Sequence, residues 1–391
     1  MSKKKILMIH NFYQIGGGEH TVFENEVKML RENGHEVLTY TRSNDELKSS
    51  KLKLLLSPLS TIWSFKSYVE VKKLIKQNQI DVVHCHNTFP LISPSVYYAA
   101  RSLKVPVIQT IHNFRFLCPN GTFYREGHIC EECKKHQSFK TAWKHGCYRN
   151  SRLQTAVVIA MLKFHRWIGT YRKISYIFLT EFNKSKFNQL MDVNGSNIFI
   201  KPNFVEEAES SNSTKEIYNT FVFAGRLEEN KGIPFLLDAW RELPTEYQLH
   251  IYGDGTYKAQ VEEASERFDN IQYYGFKPQK DIFSDLSSAQ ALLFPSNLYE
   301  GFPMILSECF SIGCPVVSTN MGNQNDMVYQ AKGGAVFPCN DKQGFQQALE
   351  DVIANRSLYS QNARSYYADY LTKQKNYEEL VDIYDRAKHI K

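Results

Sequence analysis

Long apolar runs and a strong charge imbalance are both missing from this chain. Apolar runs such as Ile6–Ile9 and Ala156–Leu162 stay far below the roughly 20 residues that a membrane-spanning helix needs. The run Ile6–Ile9 is also too short for the apolar core of a signal peptide. The net charge of +6, from 47 basic and 41 acidic residues, is too small to indicate nucleic-acid binding. We therefore expect a cytoplasmic protein with no nucleic-acid partner.

An Asp-x-Asp triplet is absent as well. Enzymes that hold a nucleoside diphosphate through a metal ion often use that motif. Its absence favours a site in which cationic side chains, rather than a metal ion, would meet a diphosphate. We therefore expect that catalysis needs no cofactor.

Strand-like and helix-like segments alternate along the 391 residues, a length that suggests two domains. This alternation predicts doubly wound parallel sheets of the α/β class. The predicted strands are Lys5–Ile9, Glu36–Tyr40, Asp81–Cys85, Val105–Ile111, Tyr176–Leu179, Thr220–Ala224, Gln248–Tyr252, Ile271–Tyr274, Ala291–Phe294, Pro315–Ser318 and Ala335–Phe337. The predicted helices include Glu19–Asn33, Pro234–Arg241, Tyr257–Phe268 and Gln343–Ala354. The polar segment Glu206–Glu216 is expected to link a first domain (residues 1–205) to a second (residues 206–376).

The most informative segment runs from Glu300 to Glu308 and sets two carboxylates around a Gly-Phe-Pro step. It follows a predicted buried strand, and Pro303 suits the first turn of a helix. Glu300 is therefore expected in a loop at the carboxyl end of a strand, and Glu308 inside the helix. The free N–H groups at such a helix start suit an anion or a sugar, here those of Phe302, Met304 and Ile305. The alternative is an exposed helix face.

Two cations, Arg226 and Lys231, follow the first predicted strand of the second domain. Ligands of open α/β sheets bind outside the carboxyl ends of strands, so this pair could hold a pyrophosphate. The alternative is two solvated surface charges. Gly253 and Phe276 follow the next two strands, where glycine would permit close approach of a ligand or simply form a turn.

With these segments, the sequence resembles the retaining family 4 glycosyltransferases of the GT-B fold. Their Glu-x7-Glu motif matches Glu300 and Glu308. Their Gly-Arg-Leu step and following Lys-Gly match residues 225–227 and 231–232, and a glycine-rich turn matches residues 16–18. A histidine after a later strand of the first domain matches His112. The resemblance runs over nearly the whole chain and implies two Rossmann-like domains facing a cleft, with Tyr377–Lys391 crossing back onto the first.

The resemblance also implies transfer of a sugar from a nucleotide-sugar, with a UDP-sugar favoured, to a saccharide or lipid-linked acceptor in surface polysaccharide synthesis. Glu300 would bind the transferred sugar, Glu308 the ribose hydroxyls, and His112 would lie near the transferred sugar. The residues expected to act in catalysis are Glu300, His112, Arg226 and Lys231. The residues expected to bind the donor are Glu308, Gly17, Gly18, Gly253, Phe276, Phe302, Met304 and Ile305. Retention is expected through front-face attack, with the departing phosphate receiving the acceptor proton. A structural role at the end of a strand is the alternative for His112.

Eight cysteines are present, and in a reducing compartment they are not expected to form structural disulfides. Four of them cluster with the spacing C-x11-C-x2-C-x13-C, namely Cys118, Cys130, Cys133 and Cys147. The inner C-x2-C is a frequent half of a structural zinc site, and a polar loop of this kind could gain its order from a metal ion. Four reduced cysteines lining a local core are the alternative. Because the cluster follows His112, we expect it to border the acceptor site.

Two basic stretches of the first domain, Lys48–Lys76 and Lys134–Lys173, also contain aromatic residues, among them Trp63, Phe65 and Trp167. Basic residues beside aromatic ones suit an anionic membrane surface, so peripheral docking on the inner membrane face is one hypothesis. Solvated faces of core helices are the alternative. Two kinds of alternative function remain. An inverting enzyme or an epimerase of the GT-B fold is disfavoured by the Glu-x7-Glu motif with Arg226 and Lys231, and a catalytically weak protein that binds a nucleotide-sugar is disfavoured by the presence of all the expected polar residues.

Overall fold

A computed structural model describes residues 3–14, 17–47, 58–207 and 218–387. The chain forms two compact units. The first comprises Met1–Phe123, Cys130–Asn203 and Asn376–Lys391, and the second Tyr124–Ile129 and Phe204–Lys375. The observed change of unit after Asn203 lies two residues before the predicted boundary. The segment 124–129 was expected in the first domain but groups with the second unit. Most of the predicted linker Glu206–Glu216 lies outside the described residues.

Fourteen strands are found in the described part of the chain. They are β1 (Lys5–Phe12), β2 (Glu36–Ser43), β3 (Val82–Asn87), β4 (Val107–Ile111), β5 (Tyr124–Arg125), β6 (His128–Ile129), β7 (Ser175–Phe178), β8 (Ile198–Ile200), β9 (Thr220–Ala224), β10 (Gln248–Tyr252), β11 (Ile271–Gly275), β12 (Ala291–Phe294), β13 (Val316–Thr319) and β14 (Gly334–Phe337).

The helices alternate with these strands. They are α1 (Gly18–Glu32), α2 (Phe65–Asn78), α3 (Ser95–Ser102), α4 (Glu132–Lys135), α5 (Lys140–His145), α6 (Arg152–Trp167), α7 (Glu181–Lys186), α8 (Ile233–Trp240), α9 (Lys258–Arg267), α10 (Gln279–Leu286), α11 (Met304–Ile312), α12 (Gly322–Ala331), α13 (Lys342–Tyr366) and α14 (Lys373–Arg386).

Each unit is built on one six-stranded sheet whose paired strands are all parallel. The first sheet has the order β2-β1-β3-β4-β7-β8, and the second β11-β10-β9-β12-β13-β14. The β1 residues 6–9 have no exposed surface, as expected for a parallel strand covered on both faces. The order reverses direction between β1 and β3 in one sheet and between β9 and β12 in the other. Ligands of such sheets bind beyond the carboxyl ends of the strands at this reversal.

The C-terminal helix α14 belongs to the first unit from Asn376 onward, as the resemblance implied for the segment that starts at Tyr377. The hydroxyl of Tyr384 lies 2.8 Å from Nδ1 of His84 on β3, and that of Tyr377 lies 3.1 Å from Nε2 of His35. These buried contacts fix the helix against the first sheet. In the described residues, no helix combines the length and the apolar character needed to cross a bilayer.

Candidate active site

The second unit carries an ion pair at the reversal point of its sheet. Lys231 ends a 3₁₀ turn shortly after β9, and Glu300 lies in the loop after the neighbouring strand β12. Nζ of Lys231 lies 2.6 Å from Oε1 of Glu300, and the two side chains are only 18% and 13% exposed. The hydroxyl of Ser296 lies 2.7 Å from the same Oε1. Two residues that the sequence assigned to the site are thus in direct contact, and Ser296 joins them.

The loop that carries Glu300 is held by buried polar side chains of the next elements. Nδ2 of Asn323 donates to the carbonyl oxygens of Glu300 and Gly301, the latter at 2.7 Å. Nε2 of Gln324 donates to the carbonyl of Leu298 at 3.0 Å. Asn323 and Gln324 are fully buried at the start of α12. Sequence reasoning missed both, because a single polar residue near a helix start carries no pattern that reveals its burial.

Two glycines of the site are required by packing between strand ends. Gly232 has a φ of +78°, and a Cβ there would lie 2.1 Å from the carbonyl oxygen of Pro295. Gly253 has a φ of +137°, and a Cβ there would lie 1.8 Å from the carbonyl oxygen of Gly225. Backbone packing alone therefore excludes any residue other than glycine at both positions, whether or not a ligand binds there. For Gly253, the structure supplies a backbone neighbour as the reason for the glycine.

Glu308 lies inside α11, as expected, and is partly buried. Burial raises the pKa of its carboxyl group to about 7. In the described residues, no side chain forms a hydrogen bond or an ion pair with this carboxyl group. Pro303 stands at the N-cap rather than in the first turn, and no side chain caps the helix. The N–H groups at the start of α11, including those of Met304 and Ile305, therefore lack the side-chain partner that a capped helix would have.

Arg226 and Phe276 are both exposed after β9 and β11, respectively. The guanidinium group of Arg226 contacts no carboxylate within the described chain, and the side chain of Phe276 is 81% exposed. The structure thus leaves both side chains available to a ligand, and their predicted roles stay predictions.

The first unit places His112 directly after β4 and beside His86 of β3. Nε2 of His112 lies 3.0 Å from Nδ1 of His86, and the two rings stack with centroids 5.1 Å apart. Burial, followed by the neighbouring His86, lowers the pKa of His112 well below its usual value. Gly17 caps α1, and a Cβ built on it would meet nothing within 4 Å, whereas Gly16 lies outside the described residues. Gly18 is the first residue of α1.

A buried ion pair that sequence reasoning missed lies behind His86. Glu26 of α1 and Lys201 after β8 are both fully buried, and Nζ of Lys201 lies 2.7 Å from Oε1 of Glu26. Lys201 also donates to Oδ1 of Asn376 at 3.0 Å. Glu26 lies four residues from both Val22 and Leu30 on the buried face of α1, so helical periodicity could have indicated its burial, whereas no pattern in the sequence marks Lys201.

Family models match both halves of the chain. Residues 15–206 match the model described as Glycosyltransferase Family 4, and residues 204–372 match the one described as Glycosyl transferases group 1. Together the two matches cover almost the whole chain. The protein belongs to the family 4 glycosyltransferases of the GT-B fold.

Relatives of this glycosyltransferase are distant in sequence. An uncharacterized glycosyltransferase of Methanocaldococcus jannaschii is 21% identical, over 97% of this chain and 99% of the relative. The UDP-Gal:alpha-D-GlcNAc-diphosphoundecaprenol alpha-1,3-galactosyltransferase of Escherichia coli is 23% identical, over 87% and 84%. The Anabaena protein HepE, solved with UDP, superposes with a TM-score of 0.66 at 13% identity, over 97% and 98%. This structural likeness confirms the fold.

The cysteine cluster of the glycosyltransferase is partly assembled. Cys118 and Cys133 are buried, and Cys133 and Cys147 pack in one apolar cluster with Phe139. Burial raises the pKa of the Cys118 thiol. The backbone N–H groups of Phe123, Gly121 and Asn120 point at its sulfur and partly offset this rise. In the described residues, no three of the cysteines bring their sulfur atoms within 4.8 Å of one another. The group that meets this distance is formed by Glu26, His84 and His86. The zinc site stays a prediction.

The cysteine segment also contains the β5–β6 hairpin, which groups with the second unit. The segment was expected to border the acceptor site of the first domain. The four cysteines at 118, 130, 133 and 147 belong to the first unit, and the expected position beside the acceptor site stays a prediction.

Proposed function

We propose that the protein is a retaining, metal-independent glycosyltransferase that moves a sugar from a UDP-sugar to a saccharide or lipid-linked saccharide during surface polysaccharide synthesis. The observation that carries this proposal is the buried contact of Lys231 and Glu300 at the reversal point of the second sheet. A cation and a carboxylate held together there suit a diphosphate and the hydroxyl groups of a sugar, respectively.

Donor binding would redistribute these contacts. The pyrophosphate would take Lys231 and the exposed Arg226, and Glu300 would then accept hydrogen bonds from the hydroxyls of the transferred sugar. Glu308, which lacks a cationic partner in the described residues, would accept the ribose hydroxyls. Fixed cations that meet the charge growing on the departing diphosphate lower the barrier to breaking the glycosidic bond.

Retention would follow from attack of the acceptor hydroxyl on the face that the diphosphate leaves. The acceptor proton would pass to the departing phosphate, so no protein nucleophile is required. In support, the proposed role of Glu300 as an acceptor from the sugar hydroxyls, with Ser296 still bonded to its Oε1, leaves it no part as a nucleophile. Retaining glycosidases instead place two carboxylates close together across the bond that they cleave.

Two similar proteins support the choice of substrates. The galactosyltransferase of Escherichia coli bears a name that gives UDP-Gal as donor and a diphosphoundecaprenol-linked sugar as acceptor. The Anabaena structure contains UDP. A lipid-linked acceptor would place the enzyme at the cytoplasmic membrane face, and the first unit offers a surface suited to this role.

That surface is a chain of aromatic rings that joins the two basic stretches. Trp63 lies 6.3 Å from Tyr68 and 6.2 Å from Phe164, measured between ring centroids. Phe65 and Trp167 are the two ends of this row of aromatic rings, and their side chains are 70% and 82% exposed. The same two stretches carry exposed cations, including Lys66, Lys73 and Lys163. Exposed aromatics among cations suit the interface of an anionic bilayer, so we propose peripheral docking there. The part of the basic stretch at residues 48–57 lies outside the described residues.

The first experiment is to measure release of nucleoside diphosphate from UDP-, GDP- and ADP-sugars with the purified protein, with and without EDTA. We expect slow hydrolysis of a UDP-sugar that survives EDTA and is lost in Glu300→Gln. Loss of activity with EDTA would contradict the metal-independent mechanism. If UDP-sugars bind but UDP is released neither by hydrolysis nor by transfer to a lipid-linked acceptor, the protein is a binding protein rather than an enzyme.

A further inference from the structure

Three side chains of the first unit lie next to one another: the buried Glu26 and His86, and the half-buried His112. Oε2 of Glu26 lies 3.2 Å from Nε2 of His86, close enough for an electrostatic interaction, although the two atoms do not meet hydrogen-bond geometry. Nδ1 of His86 lies 3.0 Å from Nε2 of His112. His86 therefore bridges a carboxylate on α1 and the predicted site histidine after β4.

Lys201 fixes which carboxylate oxygen of Glu26 faces His86. Its ammonium group is 2.7 Å from Oε1 of Glu26, so Oε2 faces the histidines. Burial opposes ionisation of Glu26, but Lys201 and then His86 and His84 hold the pKa of this carboxyl group well below its usual value. Because Lys201 supplies the countercharge of Glu26, this carboxylate needs no second cation beside it.

The cluster is better explained as a hydrogen-bond network than as a metal site. Ligand atoms of Glu26, His84 and His86 lie within 4.8 Å of one another. However, both ring nitrogens of His84 already have partners, the hydroxyls of Tyr384 at 2.8 Å and Thr110 at 2.7 Å. A divalent cation would also meet the ammonium group of Lys201, which is bonded to the same carboxylate.

We propose that Glu26 and His86 are positioning residues that fix the proton of His112 on Nε2 and leave Nδ1 as a hydrogen-bond acceptor for a hydroxyl of a saccharide bound at the first unit. A carboxylate oxygen 3.2 Å away attracts an N–H and repels a ring lone pair, so the His86 proton belongs on Nε2, facing Glu26. Nδ1 of His86 must then accept, and Nε2 of His112 must donate to it. In the described residues, no group bonds to Nδ1 of His112. The role toward sugar rests on the proposed function, whereas the tautomer does not.

Side-chain ¹⁵N NMR of the free, full-length protein tests the tautomer without any activity. The His112 signals are assigned by their loss in His112→Gln. We expect Nδ1 to be unprotonated in the natural protein. In Glu26→Gln, the ammonium group of Lys201 should hold the amide oxygen, so that the amide NH₂ faces Nε2 of His86. The proton of His86 should then move to Nδ1, and that of His112 from Nε2 to Nδ1. Glu32→Gln, an exposed change on the same helix, should leave the tautomer unchanged.

Should Glu26→Gln fail to fold, His86→Phe provides the second variant, since it should leave His112 as a mixture of tautomers. A protonated Nδ1 in the natural protein, or a tautomer that neither variant alters, would overturn the proposal.

Kinetics then address the sugar contact. His112→Asn keeps an acceptor near the position of Nδ1, so it should retain more kcat than His112→Gln, by roughly tenfold for one hydrogen bond. Equal loss in both would refute the contact with sugar but not the tautomer.

Discussion

Lys231 and Glu300 form a 2.6 Å ion pair between the ends of two neighbouring parallel strands, with most of both side chains removed from solvent. Removing one partner of such a pair leaves a largely buried charge alone, which costs up to about 3–5 kcal/mol in free energy of unfolding. We expect Lys231→Met and Glu300→Gln each to lower that free energy, and the double variant to recover part of it. Urea denaturation measures all three.

Donor hydrolysis separates this stability effect from catalysis. All three variants should lose at least about 100-fold in kcat, because each removes a group that is proposed to contact the donor. The exposed pair of Lys258 and Glu262, 3.7 Å apart, provides the matched control. Its variants Lys258→Met and Glu262→Gln should stay within about 0.5 kcal/mol of the natural protein and keep full activity. A double variant that is stable and active would contradict the assigned site.

Glu308 should make stability depend on pH. Its pKa is raised by burial from 4.5 to about 7, so the folded protein binds more protons than the unfolded chain between these values. The free energy of unfolding should therefore fall as pH rises from 4.5 to 7, by at most about 3 kcal/mol from this residue. Glu308→Gln removes the titrating group, and should be more stable than the natural protein at pH 8 but not below pH 4.5.

The measurement is urea denaturation of both proteins at several pH values. Glu263→Gln, a change at an exposed position of α9, should leave the pH profile unaltered. A stability difference between Glu308→Gln and the natural protein that is the same at pH 5 and pH 8 would show that Glu308 is not a buried, uncompensated carboxylate.

Much of the fold was accessible from the sequence, since parallel strands covered on both faces are short apolar runs with clear ends. Thr220–Ala224, Gln248–Tyr252 and Ala291–Phe294 were predicted with the bounds that the structure shows. The strand Ile198–Ile200 was missed because three residues are too few to show a pattern. The helix predicted to end at Ala354 continues to Tyr366 past a non-helical Asn355, where the apolar spacing loses its phase.

The motif residues of the site were also accessible, but not the side chains that hold them. Glu300 and Lys231 belong to a recognisable pattern of spacing, whereas Asn323, Glu26 and Lys201 are isolated polar residues. Their importance arises from burial, which depends on contacts between segments as much as 175 positions apart in the chain. For Asn323 and Lys201 such contacts leave no local trace in the sequence, whereas the position of Glu26 on the apolar face of α1 is one.

The aromatic surface of the first unit yields a test of membrane docking. We expect the natural protein to float with vesicles that contain anionic phospholipid and to stay unbound with purely zwitterionic vesicles. Phe65→Ser combined with Trp167→Ser should abolish flotation, because it removes both exposed ends of the aromatic chain. Tyr370→Ser, at a 51% exposed aromatic residue of the second unit, is the control and should float normally. Flotation that survives the double change would place the contact elsewhere, and no binding by the natural protein would end the hypothesis.

The four clustered cysteines predict about one zinc ion per chain, because four thiolates complete the tetrahedral site of a structural zinc. Metal analysis of protein purified without chelators measures this content. Cys130→Ser and Cys133→Ser should each abolish it and lower the melting temperature, since metal binding would stabilise the loop. Cys339→Ser, at a partly exposed cysteine of the second unit, should change neither. Metal-free protein that is equally stable with and without added zinc would instead favour four reduced thiols in a local core. That outcome would agree with the apolar packing of Cys133 and Cys147.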